Sequence, residues 1–485
     1  MARFWGVSVP EWKAALRNPR LVATVIVVLG GLTIYTLNYP GSMEYDSFVQ
    51  WLEGRSGSYG YWHPPVMSWI LGVFDTMPGP VAGWFTGMDM LLVFGALAAL
   101  LWLPKRVSWA AACVAAAMLV LPQLVLIEAV VWKDTLFADA ALVATVLIGL
   151  AVKFWPARRW RLALLGAASL FLALAVLTRQ NGIVILPCLA TGLAIAVRQC
   201  SGNWRMGAAY GAGVFALTGG LALAGNAALQ LRWDGVPSQE QQFKVLRLYD
   251  ISGMLRRDPR LKLTVMDREA PELARLIRTR TVRLWSPAKS DTMEIAAVND
   301  AIVTIPASVY AKQWRASVAE RPGLYLKVRG EIFRWVFQPP DVGLCHPFHV
   351  GNQPGEEPLE GYVIVRRMDA HDIALKHYGE FFLWHTPVFS HALFALLGLG
   401  VLVLLIRRRA PADIVLASLI VADFVFTATF FVISIACDYR YLFLIDLTSI
   451  ASLLYVAADW RGLLGPQKRG REAPFEACHR GELLG

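Results

Sequence analysis

Ten stretches of about 20 apolar residues, separated by polar connections, constrain this 485-residue chain more than any other feature. A helix of that length crosses about 30 Å of hydrocarbon. With 56% apolar and 17% charged residues, the chain cannot be a single soluble domain. The sequence therefore predicts an all-α polytopic membrane protein of about ten transmembrane helices. The stretches are 20–38, 82–103, 107–127, 135–154, 161–178, 181–197, 207–231, 386–406, 411–436 and 441–458.

Basic residues divide unevenly between the two sets of connections. Twenty Lys and Arg residues lie on the side of the two termini, whereas the short connections of the other side hold four, Arg55, Lys133, Arg179 and Arg440. Because Lys and Arg accumulate in cytoplasmic loops, both termini are predicted to be cytoplasmic. This orientation accounts for the formal net charge of +10 without a nucleic-acid partner. The first stretch lacks a small-residue cleavage site and is predicted to be a retained signal-anchor.

One connection is far longer than the others and lies on the outer side, where its length exempts it from the charge rule. Apolar residues recur at helical spacing in 306–337, which predicts a mainly helical soluble domain. The only outer cysteines, Cys345 and Cys437, either form a disulfide or, in the preferred interpretation, pack unpaired. The predicted organisation is an N-terminal transmembrane module at 1–231 with a catalytic first outer loop at 39–81, a periplasmic domain at 232–385, a C-terminal transmembrane module at 386–458 and a cytoplasmic basic tail at 459–485.

Charged side chains gather at the outer ends of the predicted spans. A structural role exists for each: an acid at a helix N-terminus caps it, a Lys there snorkels, and a His at the interface is simply polar. Their convergence on one membrane face instead favours a site where a lipid phosphate meets a polar acceptor, because arginines so close to hydrocarbon are costly unless they pair with anions. The residues are Glu44, Asp46, His63, Lys133, Asp134, Arg179, Asp438, Arg440 and Tyr441.

Two further groups have functional and structural interpretations. Asp89, Asp139 and Asp446 lie inside predicted spans, where acids are either functional or serve helix-to-helix hydrogen bonds. His346 and His349 are spaced suitably for a metal, but a second ligand pair is missing, so they are expected to line the domain or its seam with the membrane.

Four short motifs, in this order, resemble a bacterial subgroup of the GT-C superfamily of integral-membrane glycosyltransferases. They are Trp62-His63-Pro64-Pro65, Trp132-Lys133-Asp134, Arg179-Gln180-Asn181-Gly182 and Asp438-Tyr439-Arg440-Tyr441. The resemblance implies a GT-C-like fold in the bacterial inner membrane. It also implies transfer of a sugar from a polyprenyl-phosphate donor to a cell-envelope acceptor, which is a glycolipid, polysaccharide or protein, on the periplasmic face.

The resemblance also suggests roles for the outer-face residues. An inverting displacement needs a base for the acceptor hydroxyl and cations for the leaving phosphate. Asp46 is the expected base, although Glu44 is close enough in sequence to compete for this role, and Asp134 orients Lys133 or contacts the sugar. No cofactor is expected to be obligatory, while a divalent cation is compatible with the carboxylates. The donor phosphate would bind Lys133, Arg179 and Arg440, and the acceptor would be oriented by His63, Asp438 and Tyr441.

Two other functions fit part of the sequence. A transporter or flippase would explain Asp423 near the middle of the ninth span, but transport sites normally lie at the bilayer midplane and not at one face. An O-antigen ligase or polymerase would also use polyprenyl-linked glycans. Its catalytic groups are expected in a large late loop, whereas the acidic loop here follows the first span.

Overall fold

The computed structural model describes residues 17–60, 63–230, 238–289, 291–353 and 366–460. Tyr61, Trp62 and nearly all of the predicted tail lie outside these ranges. Within them the regular elements are helices, joined by a few isolated β-bridges. The predicted all-α polytopic architecture is therefore confirmed.

The N-terminal half contains long membrane-length helices and two short ones that follow the first. The two short helices that follow the first long helix, α2 and α3, pack closely. Glycine at position 54 permits this packing, because a Cβ there would lie 1.9 Å from the Ser68 carbonyl oxygen. The helices are α1 (Pro19–Asn38), α2 (Tyr45–Ser56), α3 (Pro65–Asp75), α4 (Val81–Leu100), α5 (Trp109–Met118), α6 (Lys133–Lys153), α7 (Arg158–Thr178), α8 (Ile185–Ser201) and α9 (Trp204–Gln230).

A helical cap follows, and the chain then returns to the bundle. The cap has its own apolar core, which includes Tyr249, Trp285 and Tyr310. Its helices are α10 (Ser238–Arg257), α11 (Thr264–Glu269), α12 (Pro271–Leu276), α13 (Val282–Leu284), α14 (Ala296–Thr304), α15 (Ala307–Glu320), α16 (Pro322–Phe337) and α17 (Ala370–His385). The returning helices are α18 (His391–Arg408), α19 (Pro411–Ile433) and α20 (Phe443–Ala458).

Nine helices of the described ranges are long and apolar enough to cross a membrane. The third predicted span, 107–127, is not among them, because it does not form one continuous helix. Helix α5 has only 10 residues. Pro122, which has no N–H to donate, follows it, and the segment continues as a π-helical turn over Gln123–Ile127.

This broken segment nevertheless runs from one end of the bundle to the other. At its start, the Ser108 amide donates to the carbonyl of Ala458, at the end of α20, over 2.7 Å. Near its other end, the Asn38 side chain, at the end of α1, donates to the Val125 carbonyl over 2.9 Å. The part of the chain that the structure describes therefore crosses the bundle ten times, and nine of these crossings are long helices.

The cap is tied to the bundle at the connection between α19 and α20. Arg329 is fully buried, pairs with buried Asp250 over 2.5 Å, and donates to the Ser434 carbonyl over 2.6 Å. Three residues later in this connection, Cys437 forms a disulfide with Cys345 of the cap. The expectation that these two cysteines pack unpaired is therefore wrong, because the fold brings their Cα atoms to 5.0 Å.

Replacing Arg329 should destabilise the cap strongly. In an Arg329→Met variant Asp250 would be a buried carboxylate without its cation, which typically costs about 3–5 kcal/mol. We expect a clear fall in the melting temperature of the detergent-solubilised protein, and partial recovery when Asp250→Leu is added. Arg275→Met is the matched control, because it removes an ion pair whose side chains are 75% and 81% exposed. An equal effect of the two single variants would contradict the assignment.

Candidate functional site

An extended segment after α1 positions the first acidic residues. The Ser42 amide donates to the Ala129 carbonyl and the Val131 amide donates to the Ser42 carbonyl, both over 2.9 Å. On the cap side, the Met43 amide donates to the Gly351 carbonyl over 3.0 Å. Glu44, the next residue, is thereby fixed as the N-cap of α2 beside the start of α6.

Arg440 is buried and lies at the centre of a cluster of carboxylates. It pairs with Glu44, with Asp46 over 2.6 Å and with Asp438 over 2.8 Å. A fourth carboxylate, that of Asp134, lies 3.8 Å from its Nε. A charge that is 8% exposed needs such partners, so Arg440 joins the outer loop, the start of α6 and the start of α20 in one network.

Arg179 occupies the adjoining position. Its guanidinium pairs with Asp134, which is 2% exposed, and lies 5.1 Å from the ring centre of Tyr441. The Arg440 guanidinium lies 6.0 Å from the same ring. Both guanidinium groups therefore lie within cation–π distance of the same aromatic ring, which stabilises their charge.

Lys133, His63 and Asp46 form a chain of contacts. Lys133 Nζ lies 2.9 Å from His63 Nδ1. Because an ammonium group only donates, Nδ1 accepts, and the ring proton is on Nε2. Nε2 in turn lies 3.7 Å from a carboxylate oxygen of Asp46. This is the tautomer that directs an N–H toward the Asp46 carboxylate.

The two acidic residues at the start of α2, the N-cap Glu44 and Asp46 of the first turn, have opposite protonation tendencies. Burial raises the pKa of Glu44 to about 7, with Asp46 adding to the rise and Arg440 opposing it. Burial also disfavours the charge of Asp46, but Arg440 and Lys133 outweigh it and hold the Asp46 pKa below its usual range. Burial and Lys133 lower the pKa of His63 to about 3. At neutral pH Asp46 is therefore ionised, His63 is neutral and Glu44 exists in both forms.

The structure brings together all nine residues that the sequence placed at the outer face. It adds Trp132, which sequence reasoning did not assign to the site. The Trp132 indole donates to Glu44 over 2.6 Å, and its ring lies 5.3 Å from the Arg440 guanidinium. Its position directly before Lys133 in the sequence is the feature that could have assigned Trp132 to the site.

The intramembrane acids lie outside this cluster. Asp446 accepts from Tyr439 over 2.6 Å and contacts His391 over 2.9 Å, so it anchors the residue beside Arg440. Asp89 and Asp139 are fully buried with Glu128, near enough to one another to hold a metal ion. In the described ranges one other such group occurs, Asp369, His371 and Asp372. Neither group contains a predicted site residue.

No protein-family model matches the chain, and no curated protein sequence matches it. Among solved structures, the archaeal oligosaccharyltransferase AglB from Archaeoglobus fulgidus, in complex with an inhibitory peptide and a dolichol-phosphate, is 13% identical with a TM-score of 0.39. The oligosaccharyltransferase of the same organism tethered to an acceptor peptide is 14% identical with a TM-score of 0.38. Each match covers 90% of this chain, which spans about half of the matched chains, 50% and 49% respectively.

At TM-scores of 0.39 and 0.38, these similarities support no family assignment and no residue role for this chain. The chemistry proposed below therefore rests on the residues of this chain.

Removing the Trp132 indole should move the titration of Glu44. The indole N–H stabilises the charged carboxylate, so its loss in Trp132→Phe should raise the pKa of Glu44 above about 7. In the parent protein, infrared spectroscopy should show a protonated carboxyl band that disappears as the pH rises through about 7. In Trp132→Phe the same band should disappear at higher pH. In Glu44→Gln the band should be missing. Trp109→Phe, an exposed tryptophan of α5, should not shift it. A parent band already lost at pH values near the usual range of Glu would contradict the assignment.

Proposed function

We propose that the chain is a membrane glycosyltransferase that moves a sugar from a polyprenyl-phosphate donor to an acceptor hydroxyl, with Asp46 as the base. The observation that carries the proposal is the Lys133–His63–Asp46 chain, which places an ammonium group and an ionised carboxylate in one site. Such a site can receive an anionic leaving group and take up a proton from a nucleophile.

The reaction is a single displacement. The acceptor oxygen attacks the anomeric carbon and forms the new glycosidic bond, while the bond from that carbon to the donor phosphate breaks. The acceptor proton passes to the Asp46 carboxylate, and the lipid phosphate leaves with the bonding electron pair. Attack from the face opposite the phosphate inverts the anomeric configuration.

Asp46 suits the role of base better than Glu44. One oxygen of Asp46 pairs with Arg440 and the other faces His63, so the carboxylate is held in a fixed orientation and stays ionised at neutral pH. Glu44 accepts from Trp132 and pairs with Arg440, which directs it toward the bundle. With its pKa raised to about 7, Glu44 can take up a proton when the donor phosphate adds negative charge to the site.

The three predicted phosphate-binding cations differ in their surroundings. Among the described residues, Lys133 has no carboxylate within ion-pair distance, whereas Arg179 pairs with Asp134 and Arg440 pairs with three acids. Lys133 is therefore the principal phosphate ligand in this proposal. Arg179 supplements it, and Arg440 orients Glu44, Asp46 and Asp438.

The location of the site supports a periplasmic reaction. Cys437, which forms the disulfide with Cys345, directly precedes Asp438 in the sequence, and disulfides persist in oxidising compartments. The distribution of Lys and Arg predicts the same side for this connection. A polyprenyl-phosphate donor embedded in the outer leaflet would present its phosphate at this level.

Asp46→Asn should abolish transfer while the protein still folds. Loss of a general base typically slows a reaction about 10²–10⁴-fold. Lipid-linked glycans isolated from a deletion strain serve as the donor pool, and mass spectrometry of the envelope acceptors measures transfer. Asp75→Asn is the matched control, since Asp75 ends α3 and contacts Trp51 and Arg55 outside the cluster. Near-parental transfer by Asp46→Asn would refute the assignment of the base.

Lys133→Met should weaken use of the donor. Loss of the ammonium group removes the principal phosphate contact, so we expect the donor KM to rise at least about tenfold, equivalent to about 1.4 kcal/mol. Lys153→Met is a control on the same helix, because Lys153 lies at the opposite end of α6. The phosphate assignment is wrong if Lys133→Met leaves the donor KM unchanged.

A further inference from the structure

A cavity of about 470 Å³ lies at the seam between the outer loop and the cap. Its walls come from α2, α10 and α14, with His63 at one side. The volume is within the range of about 300–1,000 Å³ that is typical of small-ligand sites. The cavity is therefore large enough to hold part of a substrate.

The cavity opens beside the proposed base. Tyr45, Val49 and Glu53 line it from successive turns of α2, the helix that also carries Asp46. His63 lines the cavity as well and contacts Asp46 through Nε2. A molecule in this cavity would consequently lie next to the residue proposed to remove a proton from the acceptor.

Two carboxylates and two amides are among the polar side chains that line the cavity. They are Glu53, Glu294, Gln241 and Asn299, and the described lining contains no Lys or Arg. Carboxylates accept hydrogen bonds, and amides both donate and accept them, which suits hydroxyl groups. The described wall therefore offers an anionic ligand no Lys or Arg with which to pair.

Glu53 is held in place by its own hydrogen bonds. The Gly60 amide donates to one of its oxygens over 2.8 Å and the Ser68 hydroxyl donates to the other over 2.6 Å. A Cβ at position 60 would lie 2.4 Å from that first oxygen, so glycine permits the close approach. Glu53 is therefore a preorganised acceptor and not a freely moving surface acid.

The remaining wall is apolar and aromatic. Tyr45 and Tyr249 contribute rings, and Ile302 and Val303 contribute aliphatic surface from α14. A wall with apolar faces between hydrogen-bonding groups matches a sugar ring, whose C–H faces are apolar and whose edge carries hydroxyls. The cations Lys133 and Arg179 lie outside this lining.

We propose that this cavity binds the acceptor and that the bound portion is a neutral saccharide. The inference rests on the proposed transferase function and names its acceptor class. The site is then divided electrostatically: the anionic donor binds at Lys133 and Arg179, the uncharged acceptor binds between α2 and the cap, and Asp46 lies between them.

Binding can be measured without the reaction. The full chain in lipid nanodiscs is titrated with maltotriose, mannotriose, the charged trisaccharide trigalacturonate and a serine-rich hexapeptide, and saturation-transfer NMR detects each ligand. At least one neutral trisaccharide should bind, and trigalacturonate and the peptide should not. Preferential binding of trigalacturonate or of the peptide, or binding of none of the four, would overturn the proposal.

A cavity-filling variant locates the site. Val303→Trp should weaken binding of the neutral trisaccharide at least about tenfold. Thr304→Trp is the control, because Thr304 is an exposed neighbour on α14 that does not line the cavity. Equal binding by both variants would overturn the proposal.

A second readout separates the acceptor inference from the proposed function. Slow hydrolysis of the lipid-linked donor without acceptor should be the same in Val303→Trp and the parent, while the acceptor KM rises in Val303→Trp. If the parent neither transfers nor hydrolyses the donor, the proposed function fails. If it does both and Val303→Trp leaves the acceptor KM unchanged, the acceptor inference alone fails.

Discussion

The buried guanidinium of Arg440 is the interaction on which the rest of the site depends. Its carboxylate partners come from segments far apart in sequence: Glu44 and Asp46 open α2, and Asp438 precedes α20. Removing the guanidinium would leave several carboxylates without their shared cation, which is far more costly than losing a surface ion pair. The outer loop and the final helix therefore hold a fixed position relative to each other through electrostatics as well as packing.

The same region is braced from the cap. Arg329 and Cys345 both contact the connection that leads to Asp438, and His349 contacts the Met43 carbonyl over 3.1 Å. On the membrane side, Tyr439 is held by Asp446 and by Gln123. The cluster around Arg440 thus lies at the junction between the bundle and the cap. This explains how short motifs at the ends of separate helices can form one site.

Much of this arrangement followed from the sequence, because topology is a strong constraint in a membrane protein. Once the spans and their orientation are assigned, Asp46, His63, Lys133, Arg179 and Arg440 must lie at one membrane face, and the structure places them in contact. Mean apolar content alone could not reveal that the third span is interrupted at Pro122, since apolar residues resume directly after Pro122 and Gln123.

Pairing was the part that the sequence could not supply. Which cation pairs with a carboxylate depends on side chains that meet only in the folded chain. The sequence alone therefore could not distinguish Arg440 from Lys133 as a candidate phosphate ligand. The disulfide has the same origin, because Cys345 and Cys437 are 92 residues apart and only the docking of the cap brings them together. Trp132 could not be assigned to the site for a related reason, because its indole donates to Glu44, which is distant in the sequence.

The extended segment at Ser42 and Met43 has a consequence for the modularity of the protein. Its backbone is hydrogen-bonded to residues 129–131 of the bundle on one side and to residues 351–353 of the cap on the other. It thus links the bundle and the cap through isolated β-bridges. A chimera that exchanged the cap alone would change the backbone partners of the segment that fixes Glu44, so the first loop and the cap should be exchanged together.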